Sequence, residues 1–454
     1  MRRTDLPRGI RLRAQPAVRT GQIFKPEKPW EQSDAGFSVS TVIQDGTTYK
    51  AWGGNFYFES TDGMNWRRPD LGLVERDGSR KNNLLENGVG TVFKDPAGPE
   101  SERYKWVNDG DITKEQLEVF KTKRPDAWDQ RAFREDVGRV FGVFGGVSSD
   151  GLRWTRLEDP LVVEHSDTQN TAYFDERLRK YVIYTRNYMI GPRSENAGEL
   201  GFRSWWDAGR RSIGRTESDN FREFPLSEVI MEPSSDMAPH DLLYTNCKTT
   251  IPGAPDQHLM FPAIWHAAAD DTTSIALASS HDGKLWSFVP GGPVLETAPF
   301  GEWDGGCVFS HPNLIELPNG DWALPYTGFI YPHKYPRGKW KLATGYALWP
   351  KGRLVALEAP EYGEFATVAI VPPGRKLRVN ALTMRGGSVL VEVCGLDRNL
   401  LDGRSFADAK PIVGDQQAAP AVWKGQDDLG HKDGTAIVLR FRLDRAKLFG
   451  LEFA

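Results

Sequence analysis

One turn recurs along the chain, and it limits what the chain can fold into more than any other feature. Ser60-Thr61-Asp62-Gly63-Met64-Asn65-Trp66 returns as Ser148-Ser149-Asp150-Gly151-Leu152-Arg153-Trp154 and again as Ser280-His281-Asp282-Gly283-Lys284-Leu285-Trp286. A degenerate copy, Glu217-Ser218-Asp219-Asn220-Phe221, falls between the last two. The four aspartates are separated by 88, 69 and 63 residues. Asp-Gly makes a tight turn because Asp bonds its own backbone and Gly supplies a positive φ. The Trp three residues later can pack as a plug between neighbouring sheets. A period this long, with one hairpin turn per unit, predicts four-stranded propeller blades, none of which can bury its face alone.

A second hairpin stands upstream in each clear unit. Phe37–Ile43 turns at Gln44-Asp45-Gly46 into Tyr49–Trp52, and Asn170–Phe174 turns at Asp175 into Tyr181–Thr185. Leu314–Leu317 turns at Pro318-Asn319-Gly320 into Trp322. Units two and four fit this grammar less cleanly, and unit two carries a charged, helix-like insertion around 110–135 that includes Lys114–Lys121. The reading is an all-β chain: an N-terminal arm over 1–29, a five-bladed β-propeller over 30–358, and a C-terminal β-sandwich over 359–454. The last assignment rests on period-2 runs such as Ser388–Val393 and Thr435–Phe441 between Gly/Pro turns.

Composition excludes several function classes. The 454 residues carry 57 basic against 61 acidic side chains, which argues against nucleic acid or an anionic membrane surface as partner. No apolar run is long enough to span a bilayer. The N-terminus is basic but lacks an apolar core segment, so a cytoplasmic location is expected, a trimmed secreted form being the alternative. Cys247, Cys307 and Cys394 lie far apart, which predicts buried free thiols rather than a disulfide framework or zinc cluster. His165, His240, His266 and His311 show no metal-ligand spacing, and neither a metal nor another cofactor is expected.

Candidate chemistry follows from position. The innermost strands of a propeller converge at one mouth of the channel, so residues just before each innermost strand share a pocket. Glu31 lies 18 residues before Tyr49, with Asp34 at 15; Asp167 lies 14 before Tyr181. Asp241 lies 18 before Leu259, and Asp304 lies 18 before Trp322. Carboxylates around one axis suit glycosidic bond cleavage, where one is held neutral as acid and another stays ionised as nucleophile or base. Glu31 is expected as nucleophile or base and Asp304, beside Trp303, as acid, with Asp167 and Asp241 orienting hydroxyls. Trp30, Asn170, Arg186, Arg215, His240 and Trp303 are expected to contact substrate. Asp45, Asp95 and Asp175, in hairpin turns, and the Asp of each repeated turn read as scaffold.

Pro29-Trp30-Glu31, Asp62–Trp66 running into Pro69–Glu75, Asn82-Asn83-Leu84, Val92–Pro96 with Arg103-Tyr104-Lys105, Asp167–Asn170 with Tyr181–Arg186, and Arg215–Asp219 together resemble the family 32-like and family 43-like glycoside hydrolases. That resemblance implies a five-bladed propeller, a C-terminal β-sandwich, and hydrolysis of fructofuranosides or arabinofuranosides in an oligo- or polysaccharide. The family 32 motifs are not intact: Trp30-Glu31 stands at the first, Lys94-Asp95-Pro96 is only similar to the second, and no Glu-Cys pair exists. Fold therefore transfers more readily than residue roles. Two alternatives stay open, a non-catalytic carbohydrate-binding propeller and a phosphorolytic relative using Arg186 and Arg215.

Overall fold

Each full copy of the repeated turn closes in the same way. The Ser60 hydroxyl donates to Asp62 Oδ1 (2.9 Å) and accepts the Gly63 N–H (2.9 Å), while Asp62 Oδ1 also accepts the N–H groups of Met64 (2.9 Å) and Asn65 (2.7 Å). The same bonds form at Ser148/Asp150 and at Ser280/Asp282. Gly63, Gly151 and Gly283 take φ of 72°, 79° and 71°, the left-handed region that favours glycine. In the second and third copies the Trp also closes its own turn: Trp154 Nε1 donates to Gly151 O and Trp286 Nε1 to Gly283 O, both at 3.1 Å. A ring from the preceding part of the chain reaches the same carbonyl, Trp52 at Gly151 (2.8 Å) and Tyr184 at Gly283 (2.7 Å).

This computed structural model describes residues 6–134, 138–189, 209–336 and 338–454. The chain divides into two compact units, one of Ala17–Phe288 and Pro293–Leu348, the other of the residues up to Pro16, Val289–Gly292 and Trp349–Ala454. It is all-β: Lys114–Lys123 is the one α-helix among the described residues. It lies in the predicted insertion and is capped reciprocally by Thr113 and Gln116.

The larger unit is a succession of antiparallel sheets in chain order. Sheet I joins Thr41–Asp45, Thr48–Ser60 and Leu84–Val89; sheet II joins Thr91–Lys94, Tyr104–Ile112, Arg139–Ser148 and Thr155–Arg156. Sheet III joins Thr171–Asp175, Lys180–Met189, Arg210–Ser218 and Glu228–Met231. The fourth region splits into an inner half, Asp241–Thr245, Ala263–His266 and Thr273–Ile275, and a second half, Lys248–Ile251, Ala254–Met260, Ala278–Ser280 and Ser287–Phe288. The interruption has a local cause: Cys247 sits at φ 42° and Pro262 has no N–H to give the ladder. Sheet V joins Cys307–Ser310, Asp321–Phe329 and Leu342–Pro350, with Val18–Arg19 from the start of the chain as its outer strand.

Apolar side chains fill the space between consecutive sheets. Trp52 and Ile43 of sheet I pack with Tyr104 and Trp106 of sheet II; Val107 and Val143 of II pack with Ala172 and Ile183 of III. Val182 and Ile213 of III pack with Leu243 and Met260 of the fourth region. Ala323 and Tyr346 of sheet V pack with Val42 and Tyr49 of sheet I, and the Tyr49 hydroxyl donates to Glu316 O at 2.6 Å. The fifth sheet thus returns to the first. Cys247, Cys307 and Cys394 are buried free thiols.

In the smaller unit one five-stranded antiparallel sheet joins, in order, Arg11–Ala14, Val355–Ala366, Ile437–Phe453, Leu377–Gly395 and Asp415–Pro420. Two facing sheets are what the sandwich reading asks for; the hydrogen-bonded ladder here is a single one, interrupted between Thr383 and Ser388. The period-2 signal is real: Val389, Val391 and Val393 point into a core with Leu439, Phe441 and Trp423.

Candidate active site

Asp109 and Asp167 are brought together from two sheets. Asp109 lies near the far end of Tyr104–Ile112, opposite Val143. Asp167 precedes Thr171–Asp175, the first strand of the next sheet. Strand polarity explains the meeting: the end of a second strand and the start of a first strand point to the same edge of the ring. The loop carrying Asp167 is fixed by Ser166, whose hydroxyl donates to Asn170 Oδ1 (2.7 Å) and accepts the Arg186 N–H (2.9 Å). Asn170, expected to touch substrate, is instead buried with its amide bonded to the Ser166 and Thr168 carbonyls.

The two carboxyls are pushed in opposite directions. Burial, reinforced by the charge of Asp167, raises Asp109 above the ordinary carboxylate range. Asp167 is also raised by burial, but the Arg186 guanidinium, a hydrogen bond from His165, and Arg211 outweigh it and hold the carboxyl well below that range. Arg186 is buried and ion-paired directly to Asp167, as the sequence reading of both residues allows. His165 stacks on Phe141 with centroids 4.7 Å apart, which fixes its ring 3.5 Å from Asp167.

An aromatic panel with cations over it flanks this pair. Tyr244 packs edge-on to Trp265 and His333, at 5.8 and 4.4 Å between centroids. Arg186 lies 5.1 Å and Arg211 4.7 Å from the Tyr244 ring, with Arg211 4.8 Å from Trp265. Lys334 Nζ is 5.6 Å from Trp265. Asp271 holds the rim, accepting from Trp265 Nε1 (2.9 Å) and from the N–H groups of Lys334 (2.6 Å) and Tyr335 (2.9 Å). Burial, then Arg211 and Arg186, lowers the Lys334 amine to about 8. The same surroundings lower His333 to about 3.

The other expected carboxylates are each engaged elsewhere. Glu31 is fully buried, accepting Arg68 Nε at 2.6 Å and the N–H groups of Glu27 (2.8 Å) and Lys28 (3.2 Å). Trp30 beside it donates to Asn83 Oδ1 at 2.9 Å. Asp304 is buried and accepts the Tyr326 hydroxyl at 2.8 Å, with Arg19 Nε 3.8 Å away. Trp303 stacks on Tyr326, and Gly328 is required there, since a Cβ would stand 2.4 Å from that of Asp304. Asp241 pairs across the strands with His266, Oδ1 to Nδ1 2.8 Å, and His240 is half-buried next to it. Arg215 pairs with Glu217 at 2.7 Å and lies across the sheet from Tyr184, apart from the Asp167 group. The structure joins Asp167 with Arg186; it supplies Asp109, Arg211, Tyr244, His333 and Lys334, which the sequence reading passed over. Asp109 was hidden in Asn108-Asp109-Gly110-Asp111, at the edge of the charged insertion. Extending the positional test to the end of each second strand would have found it.

Among the described residues no group of three or more His, Cys, Asp or Glu side chains is placed to hold a metal ion. No helix among them is long and apolar enough to cross a membrane. No protein-family model matches the sequence, and no curated protein matches it. Among solved structures, the chain is similar to an α-L-arabinofuranosidase from Podospora anserina in complex with cellotriose, at 11% identity and TM-score 0.44 over 74% of this chain and 98% of that one. It is similar to a thermostable family-43 glycoside hydrolase at 14% identity and TM-score 0.42, over 71% and 92%. A family 32 β-fructofuranosidase from Bombyx mori aligns at 10% identity and TM-score 0.38, over 98% and 94%.

Proposed function

We propose that this chain is a glycoside hydrolase built as a five-bladed β-propeller with a C-terminal β-sandwich, acting at the end of the ring where Asp109 and Asp167 meet. The observation that carries the reading is the opposed tuning of those two carboxyls. Cleaving a glycosidic bond requires a proton for the departing oxygen and negative charge for the cationic sugar that forms. Asp109, whose ionisation is opposed by burial and by its neighbour, supplies the proton. Asp167, kept ionised by Arg186, acts as nucleophile or base. Two carboxyls driven apart by their surroundings are the usual mark of such a division of labour. Tyr244 and Trp265 offer apolar faces for the C–H side of a sugar.

Glu31, Asp241 and Asp304, expected in catalytic roles, are proposed instead to hold the walls of the site, because each already spends its charge on a neighbour. The furanoside class, fructofuranoside or arabinofuranoside, rests on the resemblance of the sequence motifs. The test is hydrolysis of a panel of nitrophenyl furanosides and pyranosides together with fructans. Release from at least one member, abolished in Asp167→Asn, is expected. Turnover that survives both Asp109→Asn and Asp167→Asn would refute the assignment.

A further inference from the structure

The strand that follows Asp167 meets a second cavity at its other end. Asp167 precedes Thr171–Asp175, and a cavity of about 370 Å³ gathers around Asp175 and the strand Lys248–Ile251. Small-molecule sites occupy about 300–1,000 Å³, so the volume suits a small ligand. The rim is exposed and of mixed charge, Lys94 and Arg177 standing with Glu176 and Asp256. The depth is buried and polar: Lys248 is 4% exposed, His258 3% and Thr171 3%. Thr250 pairs with His258, which places Lys248 and His258 on one face of adjacent strands. Both side chains meet the Tyr173 ring, Lys248 Nζ at 3.3 Å and the His258 ring at 6.1 Å between centroids. The face of that ring can accept one N–H of the amine but offers nothing to its lone pair. Among the described residues, Lys248 Nζ has no hydrogen-bond or ion-pair partner, and neither His258 Nδ1 nor Thr171 Oγ1 has a hydrogen-bond partner. Unmade interactions at three buried groups are costly, and a ligand that supplies them removes the cost.

We propose that this cavity takes a small hydroxylated carbonyl compound, an aldehyde or ketone, and holds it as an imine on Lys248. The inference is independent of the glycosidase reading. Burial brings the amine from 10.5 to about 7, with Asp175 opposing the shift and Arg215 adding to it. At neutral pH its free-amine fraction is then on the order of a thousandfold above that of an ordinary lysine, and the free amine is the nucleophile. The nitrogen lone pair forms a C–N bond to the carbonyl carbon, and the carbonyl oxygen becomes the hydroxyl of a carbinolamine. That C–O bond then breaks. The oxygen leaves as water with the two amine hydrogens, so C=N forms without an oxidant or a reductant. Burial, then Lys248, lowers His258 to about 4, which keeps it neutral as a proton acceptor for these steps. His258 Nδ1 and Thr171 Oγ1 offer hydrogen bonds to the carbinolamine hydroxyl and to hydroxyls of the ligand chain. The mixed rim favours neither an anion nor a cation.

The test treats the full chain at neutral pH with glycolaldehyde, glyceraldehyde or dihydroxyacetone in the presence of cyanoborohydride, which reduces an imine to a stable amine. Peptide mass mapping then locates the adduct. For at least one of the three compounds, Lys248 should be labelled at least about tenfold faster than any exposed lysine, because far more of it is free amine. The rate should saturate with carbonyl concentration, because binding precedes the bond. Lys248→Met should lose the fast adduct while the exposed lysines label as before. His258→Gln should slow labelling of Lys248 by about tenfold or more. Circular dichroism identifies a variant that fails to fold, and the parent's own labelling pattern then decides. Labelling of Lys248 no faster than of exposed lysines with all three compounds would overturn the inference. A rate that stays linear in concentration would also overturn it, since that is a reactive amine without a binding site. An undiminished rate in folded His258→Gln would contradict the part given to His258.

Discussion

The repeated turn and the candidate site use the same residue type to opposite ends. Asp62, Asp150 and Asp282 stand in nearly identical surroundings, each with one oxygen accepting a serine hydroxyl and two backbone N–H groups. All three are lowered from the ordinary carboxylate range by those bonds. Asp109 and Asp167 stand in unlike surroundings, which drive them in different directions. Repetition marks scaffold, because every sheet needs its strands closed. The proposed chemistry asks for the opposite, because an acid and a base cannot share one environment.

The contrast is sharpest in the expected sizes of mutational effects. Asp109→Asn and Asp167→Asn should each lower kcat/KM by on the order of 10²–10⁴. Asp109→Asn should keep an unfolding transition near that of the parent, and Asp167→Asn should lose stability as well, since it leaves the buried Arg186 without its ion pair. Steady-state kinetics beside a denaturant titration separate the two quantities. Glu31→Gln should behave in reverse. Its pair with Arg68 is buried on both sides, so removing one partner should cost about 3–5 kcal/mol of stability while turnover changes less than about tenfold. A large rate loss in a stable Glu31→Gln protein would return that residue to the catalytic group.

Lys248 tests the comparison at the turn-bearing end of the same strands. It is buried, with Nζ 3.3 Å from the Tyr173 ring centroid, lining a cavity of about 370 Å³ with Asp175 and His258. Burial lowers its amine from 10.5 to about 7. Between those values the unfolded chain binds more protons than the folded one, so stability from this group rises with pH across that window. Lys248→Met should therefore stabilise the protein at pH 7 by on the order of 1–3 kcal/mol, and the gain should fade toward pH 10.5. Thermal unfolding of both proteins across that range checks the sign; a gain independent of pH would contradict it. Smallest are the turns: Asp62→Ala, Asp150→Ala and Asp282→Ala should each cost about 1–2 kcal/mol, like the loss of a helix cap, with no change in kcat. Unequal costs would mean that the three turns are not equivalent scaffold.

Much of the architecture was legible because turn chemistry is local. Ser-x-Asp-Gly fixes its own hydrogen bonds within four residues, and Trp154 and Trp286 each need only their own glycine carbonyl. The break in the fourth region was visible as a poor fit, and Cys247 with Pro262 supplies the reason. The positional test found Asp167 because it looked before the first strand of each sheet. It missed Asp109, Arg211 and Lys334 because it never looked at the ends of later strands, which share that edge. It also gave Glu31, Asp241 and Asp304 the same weight as Asp167, since a sequence position does not reveal an arginine 37 residues on, such as Arg68, that consumes a carboxylate's charge.

A comparison of leaving groups decides whether Asp109 delivers a proton while Asp167 holds charge. Dinitrophenolate departs without protonation, whereas an alkyl alcohol needs an acid. On the sugar identified by the panel, Asp109→Asn should hydrolyse the dinitrophenyl glycoside within about tenfold of the parent and the alkyl glycoside on the order of 10²–10⁴ more slowly, while Asp167→Asn should be slow on both. Equal losses on the two substrates in Asp109→Asn, or the leaving-group rescue appearing in Asp304→Asn instead, would contradict the account.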